Sequence, residues 1–384
     1  MSFPRAASAL TLAACAVLVA ARTATPHETV NTTVLFDREI VKILNSHCVM
    51  CHVEGGPSFP LATYEQVWVA KRKISAAVLS RHMPPWAAFS GYGRFVNENA
   101  VTLRESQFLV SWMEGLGPRN GGAVFTNTAD PAAPKPLAVR ARADFGAWHI
   151  GQPDVVRELP PQTIAPNAES NGFVTVTIDL GFDAGRRIRA FEYMPGDRRV
   201  VHDAVFTIKE TGQWLGSWTP WYGFVTLPRG AAYRVPSGAH LVAVIHYRQA
   251  DVPVVDRGKV GFAFGPAASQ DVTDLVIDAM GAKRLHGEAT LSTDTTLLAL
   301  RPDIGTATTS VEVSAHGLDG STNVLLFAKN LSTDWLTPYI FAAPVTLPRG
   351  TRITITAYGG GPTLKTTIST VASRPPSTVK GEKR

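Results

Sequence analysis

The chain has 384 residues, 45% of them apolar, enough for two or three domains with ordinary packed cores. Its charge is mild, +6 from 37 basic and 31 acidic side chains, and no aromatic-interleaved basic groove for nucleic acid is present. Only three cysteines occur, and their placement leaves no disulfide framework.

The first stretch is Arg5, an apolar small-residue run from Ala6 to Ala21, then polar Arg22-Thr23-Ala24-Thr25. This pattern predicts a secretory signal over residues 1–25, too short and too alanine-rich for a membrane span. Leu12-Ala13-Ala14-Cys15 resembles a lipoprotein cleavage box, but the apolar run continues past Cys15. A soluble periplasmic or secreted form is therefore expected rather than anchoring at Cys15. Loss of Arg5 and Arg22 with the leader leaves a charge of +4. No later run is long and apolar enough to span a membrane.

From Val34 to Cys48, Phe36, Ile40, Ile43 and Leu44 fall at helical spacing, and the helix delivers the chain to Cys48-Val49-Met50-Cys51-His52. Two cysteines separated by two residues and followed at once by histidine are the attachment signature of a c-type haem. The thiols add to the haem vinyl groups, and the adjacent histidine is placed to ligate the iron. Two other readings compete. Structural zinc normally takes four protein ligands, often from two such pairs, and no second pair exists. A thioredoxin-like redox pair belongs in a βαβ context, which is absent. Haem chemistry is the expectation, and it agrees with export, because c-type haem is attached outside the bacterial cytoplasm.

Glu54 to Pro57 reads as a turn, and Thr63-Tyr64-Glu65-Gln66 as a capping box opening a second helix with Val67, Ile74 and Val78 on one face. That helix must stop by His82, since Pro84 and Pro85 follow Met83. A second capping box, Thr102-Leu103-Arg104-Glu105, opens a third helix carrying Phe108, Leu109 and Trp112 toward Gly115 and Pro118. The haem motif, the Arg81-His82-Met83-Pro84-Pro85-Trp86 loop and the Trp112…Gly115…Pro118 helix end resemble a small monohaem cytochrome c over residues 33–118. The resemblance implies Met83 as the iron ligand opposite His52, a pair that suits electron transfer. The alternative makes Met83 a core plug, with His82 or water completing the iron. His47 reads as a helix-end residue.

Residues 119–144 are rich in Gly, Ala, Pro and Asn and predict a linker. Beyond Phe145 the period changes to two: Val174, Val176, Ile178 and Leu180 alternate with polar residues. Val200 to Ile208, His240 to Tyr247, Val311 to His316, Val324 to Ala328 and Arg352 to Tyr358 read likewise. Two antiparallel β-sandwiches are expected, over 145–280 and 281–372, followed by a disordered tail over 373–384. Arg198-Arg199 reads as solvated charge.

Within this region Phe191 to Gly196, Val200-Val201-His202, Val235 to Gly238, His246-Tyr247 and Leu347 to Thr351 resemble the copper type II, ascorbate-dependent monooxygenases, the family of peptidylglycine α-hydroxylating monooxygenase. Bacterial relatives with a cytochrome c domain fused in front resemble the whole layout. The resemblance implies a small all-α cytochrome c domain followed by an all-β double jelly roll with one copper on each sandwich. The ligand sets depart from the family pattern. His202 and His246 remain at the first copper, with Asp203 where a second adjacent histidine belongs. Period two points Asp203 away from His202 unless a bulge intervenes. At the second copper His316 remains, Leu318 stands where its partner histidine belongs, and no methionine follows Met280. Copper needs three or four such donors.

The expectation is an exported electron-transfer protein carrying haem c on Cys48, Cys51, His52 and Met83. Its β module has lost its coppers and docks a partner or binds a ligand in the old cleft; a redox partner protein, unidentified, is expected, and no catalytic residue is assigned. The rival is a copper-dependent monooxygenase fed by its own haem, with copper at His202, His246 and His316.

Overall fold

The computed structural model describes residues 32–54, 58–120, 147–166, 172–248, 250, 252–335, 337–359 and 361–372. The expected leader with Cys15, the linker from residue 121 onward and the tail lie outside the described residues. A small helical N-terminal region precedes a largely β region of several sheets.

One π-helical turn, Phe36–Ile40, runs into α1 (Val41–His47). The Phe36 and Asp37 amides donate to the Pro118 and Arg119 carbonyls, tying the start of the region to its end. Both expected capping boxes form. Thr63 accepts from the Gln66 amide at the start of α2 (Tyr64–Leu79), and Thr102 from the Glu105 amide at the start of α3 (Leu103–Glu114). Each cap satisfies amides that no helical carbonyl can reach, worth about 1 kcal/mol. The helices close over Phe36, Leu44, Val67, Ile74, Leu109 and Trp112. Gly117, at φ +55, leaves room for the Trp68 ring, which a Cβ there would meet at 2.3 Å.

The first β unit comprises β1 (Val155–Glu158), β2 (Gln162–Ile164), β3 (Gly172–Asp179), β4 (Arg186–Met194), β5 (Val201–Ile208), β6 (Trp214–Trp218), β7 (Phe224–Thr226), β8 (Ala231–Val235), β9 (His240–Tyr247), β10 (Val254–Asp256), β11 (Lys259–Phe264) and β12 (Gln270–Asp271). A sheet ordered β3-β9-β5-β6 faces one ordered β1-β11-β4-β8-β12, with β7 also on β4; β2 and β10 pair separately. Phe191, Tyr193, Phe206, Trp214, Ile245 and Phe262 fill the space between the two larger sheets.

The second unit comprises β13 (Thr273–Met280), β14 (Arg284–Thr290), β15 (Thr295–Pro302), β16 (Thr308–His316), β17 (Thr322–Lys329), β18 (Tyr339–Leu347), β19 (Arg352–Gly359) and β20 (Thr363–Ala372). Here the structure differs from the sandwich expected over 281–372. All eight strands form one sheet, ordered β17-β16-β19-β14-β13-β20-β15-β18 and curled into a half-barrel. Residues 273–280, grouped by sequence with the first sandwich, pair with β20 from Thr273–Thr370 to Met280–Thr363. The physical reason is one-sided alternation. Ile277, Leu285, Leu297, Val313, Ile355 and Ile368 come from six strands yet enter one core, so curling buries them all without a second sheet.

The two edges of that sheet are β17 and β18, and the chain just after Met83 joins both. The Phe89 amide donates to the Phe327 carbonyl and the Lys329 amide to that of Ala87. On the other edge, Val96 donates to Ile340 and Ala342 to Arg94. Trp86, Ala88 and Phe95 enter the half-barrel core. Edge strands expose unpaired backbone groups, and this segment pairs part of both edges. The expected domain over 33–118 therefore lends residues 86–97 to the β region.

Candidate functional site

The Cys48–His52 segment forms a turn at the end of α1. The Cys48 amide donates to the Leu44 carbonyl, and the Cys51 and His52 amides return to the Cys48 carbonyl at 3.1 and 3.0 Å. Cys48 and Cys51 form no disulfide. Burial pushes the Cys48 thiol up to about 12 and raises that of Cys51 as well, against the pull of Arg248 and Arg198. His52 Nδ1 lies 2.8 Å from the Phe59 carbonyl oxygen. A carbonyl only accepts, so Nδ1 carries the proton and Nε2 is the ring's lone-pair nitrogen. Burial lowers the His52 pKa, favouring the neutral form that ligates metal. Unbridged thiols and an oriented neutral imidazole fit covalent haem.

Met83 follows α2 by four residues, its amide and that of His82 returning to the Ala77 carbonyl. It lines a cavity of about 840 Å³ together with Ser58, His202, His246, Arg248 and Trp335. That volume is within the roughly 300–1,000 Å³ of small-molecule and cofactor sites. The helical and β regions thus share one cavity.

On its β side, β5 runs beside β9 with a register shift between Val201, opposite Tyr247, and Asp203, opposite His246. His202 is the extra residue of this bulge, which brings it beside Asp203. Asp203 Oδ2 accepts from His202 Nδ1 at 2.6 Å and from His246 Nδ1 at 3.1 Å. One ligand atom from each of the three residues lies within 4.8 Å of the other two. Trp335 stacks on His202 at 3.9 Å between centroids, and Phe173 on His246 at 4.3 Å. Burial lowers the His202 pKa, opposed by the hydrogen bond to Asp203 and assisted by the Arg248 charge. Two imidazoles and a carboxylate in this arrangement suit a divalent transition ion.

His316 does not join them. Its Nδ1 pairs with Thr322 Oγ1 at 3.1 Å and its Nε2 with Thr354 Oγ1 at 3.0 Å, on the half-barrel. His202, Asp203 and His246 make the one group of three potential metal ligands among the described residues.

Arg198 departs from its solvated reading. Its Nη2 donates to the Pro220 carbonyl, its guanidinium lies 5.2 Å from the Trp218 centroid, and burial lowers its pKa to about 10. Arg199 does face solvent, paired with Asp197. Sequence reasoning also missed Trp335, Arg248 and the buried Glu192, which accepts from His149 Nδ1 at 2.6 Å beside a second cavity of about 700 Å³. No short motif marks these residues, because their neighbours come from distant strands.

No family model and no curated protein matches the chain. Among solved structures, the chain is similar to the major capsid protein P2 of bacteriophage PM2, at 10% identity and a TM-score of 0.29 over 58% of this chain and 99% of that one. A peptide-N(4)-(N-acetyl-β-D-glucosaminyl) asparagine amidase matches at 11% identity and 0.29 over 58% and 97%. The STIV MCP matches at 8% and 0.26 over 56% and 96%. Among the described residues no helix is long and apolar enough to cross a membrane.

Proposed function

We propose that the chain is an exported c-type cytochrome, its haem domain fused to a β module that resembles the copper type II monooxygenases in part. Cys48 and Cys51 hold the porphyrin, and His52 and Met83 the iron. The observation that carries this reading is the His52 Nδ1 hydrogen bond to the Phe59 carbonyl, which orients Nε2 as a ligand nitrogen beside two unbridged thiols. Bound haem supplies one-electron transfer. The chain's own residues fix its position, keep His52 neutral and enclose the adjoining cavity. A redox partner protein in the periplasm or outside the cell would receive or donate the electron.

A second reading is favoured by the Asp203 bridge between two imidazoles. In it a single copper at His202, Asp203 and His246 performs monooxygenase chemistry with electrons from the haem. This replaces the set His202, His246 and His316, since His316 is engaged by two threonines. Elemental analysis of protein from a haem-maturing host, loaded with copper and dialysed, separates the two. One iron and negligible copper supports the electron carrier alone; one iron and one copper supports the second reading; no iron overturns both.

A further inference from the structure

Arg248 directly follows β9 and reaches the larger cavity from the β side. Its Nε and Nη2 are buried without a hydrogen-bond partner. A buried cation is retained when an anion and its hydrogen bonds complete it, and leaving it incomplete is expensive. The guanidinium lies 5.3 Å from the centroid of Trp335, the ring that stacks on His202. Asp203 feels its charge, but Oδ2 of that carboxylate is engaged by two imidazoles. On the helical side Met83 lines the same cavity. An incomplete guanidinium fork thus borders a cavity shared with the axial methionine of the reading above.

We propose that Arg248 binds a propionate of the haem carried by Cys48 and Cys51, so that the β module supplies one wall of the haem pocket and sets its potential. The fork of an arginine matches a carboxylate bidentately, and haem carries two propionate carboxylates. The inference rests on the haem reading and goes beyond it, because it makes the β module part of the cofactor site. Ferric haem bears one positive charge more than ferrous, so a cation at this wall favours the ferrous state.

The test is a redox titration of the full chain, purified with haem from a maturing host, as wild type, Arg248→Gln, Arg248→Met and Arg248→Lys. Arg229→Gln, at an exposed site, is the control. Loss of the cation is expected to shift the one-electron equilibrium about tenfold toward ferric, a midpoint lower by about 59 mV. Arg248→Lys is expected to recover most of that shift, and Arg229→Gln to leave the midpoint in place. Arg248→Met, apolar and of similar length, serves if the glutamine variant does not fold. A haem-loaded Gln or Met variant with a wild-type midpoint overturns the inference. Wild-type protein that emerges without haem overturns the reading of the motif instead.

Discussion

Phe95 stands in an antiparallel bridge with Phe341 on one edge of the half-barrel, twelve residues after Met83. Ala88 makes the corresponding bridge with Ala328 on the other edge. The loop expected to carry the iron's sulfur ligand is therefore anchored on β strands more than 200 residues away in sequence. Any change that loosens this seam should be felt at the iron.

Phe95→Ala tests that coupling. Removing a buried phenylalanine costs about 3–5 kcal/mol. The expected result is a lower urea midpoint by tryptophan fluorescence, together with weakening of the red methionine-to-iron absorption band in native buffer. A lower midpoint with an unchanged band would separate the seam from the haem.

Met83→Ala should lower the reduction potential and open the iron to carbon monoxide, because thioether ligation favours the ferrous state. Redox titration and carbon monoxide difference spectra check this. An unchanged potential would remove Met83 from the axial position and return the loop to a packing role.

Metal binding discriminates between the histidines. In the second reading the wild type retains one copper ion after loading and dialysis, and His246→Ala or Asp203→Ala should abolish that retention, measured by elemental analysis. His316→Ala should leave retention unchanged and cost roughly 1–2 kcal/mol, through two hydrogen bonds at about 1 kcal/mol each. Loss of the ion in His316→Ala would place the site elsewhere.

Acid should destabilise the metal-free protein before its carboxylates titrate. Burial holds His202 and His52 below the ordinary histidine value of 6.5. In that window the unfolded chain binds more protons than the folded one, so stability rises with pH. The contribution is fully present above about 6.5 and is lost as pH falls through the folded-state values. Thermal midpoints between pH 8 and pH 5 measure it, and His202→Asn should flatten the slope. A midpoint that rises on acidification would contradict the assignment.

The parts legible in the sequence were local ones. Thr63–Gln66 and Thr102–Glu105 announce helix starts because both halves of a capping box lie within four residues. Alternation along residues 172–179 marks a strand for the same reason. The sheet that β13 joins was not legible, since its partner β20 is about 90 residues away. The same holds for the pairing of residues 87–96 with β17 and β18. In the His202–Asp203–His246 group, His202 and His246 could be named from resemblance. Asp203 counted as a departure there, and only the bulge at His202 makes it a partner.

The most direct test of the account is the intact mass and visible spectrum of the protein purified from a host that matures c-type cytochromes. The account predicts a coloured chain heavier than its polypeptide by one haem, with that mass lost in Cys48→Ala, Cys51→Ala. A colourless wild-type chain of bare polypeptide mass would contradict it.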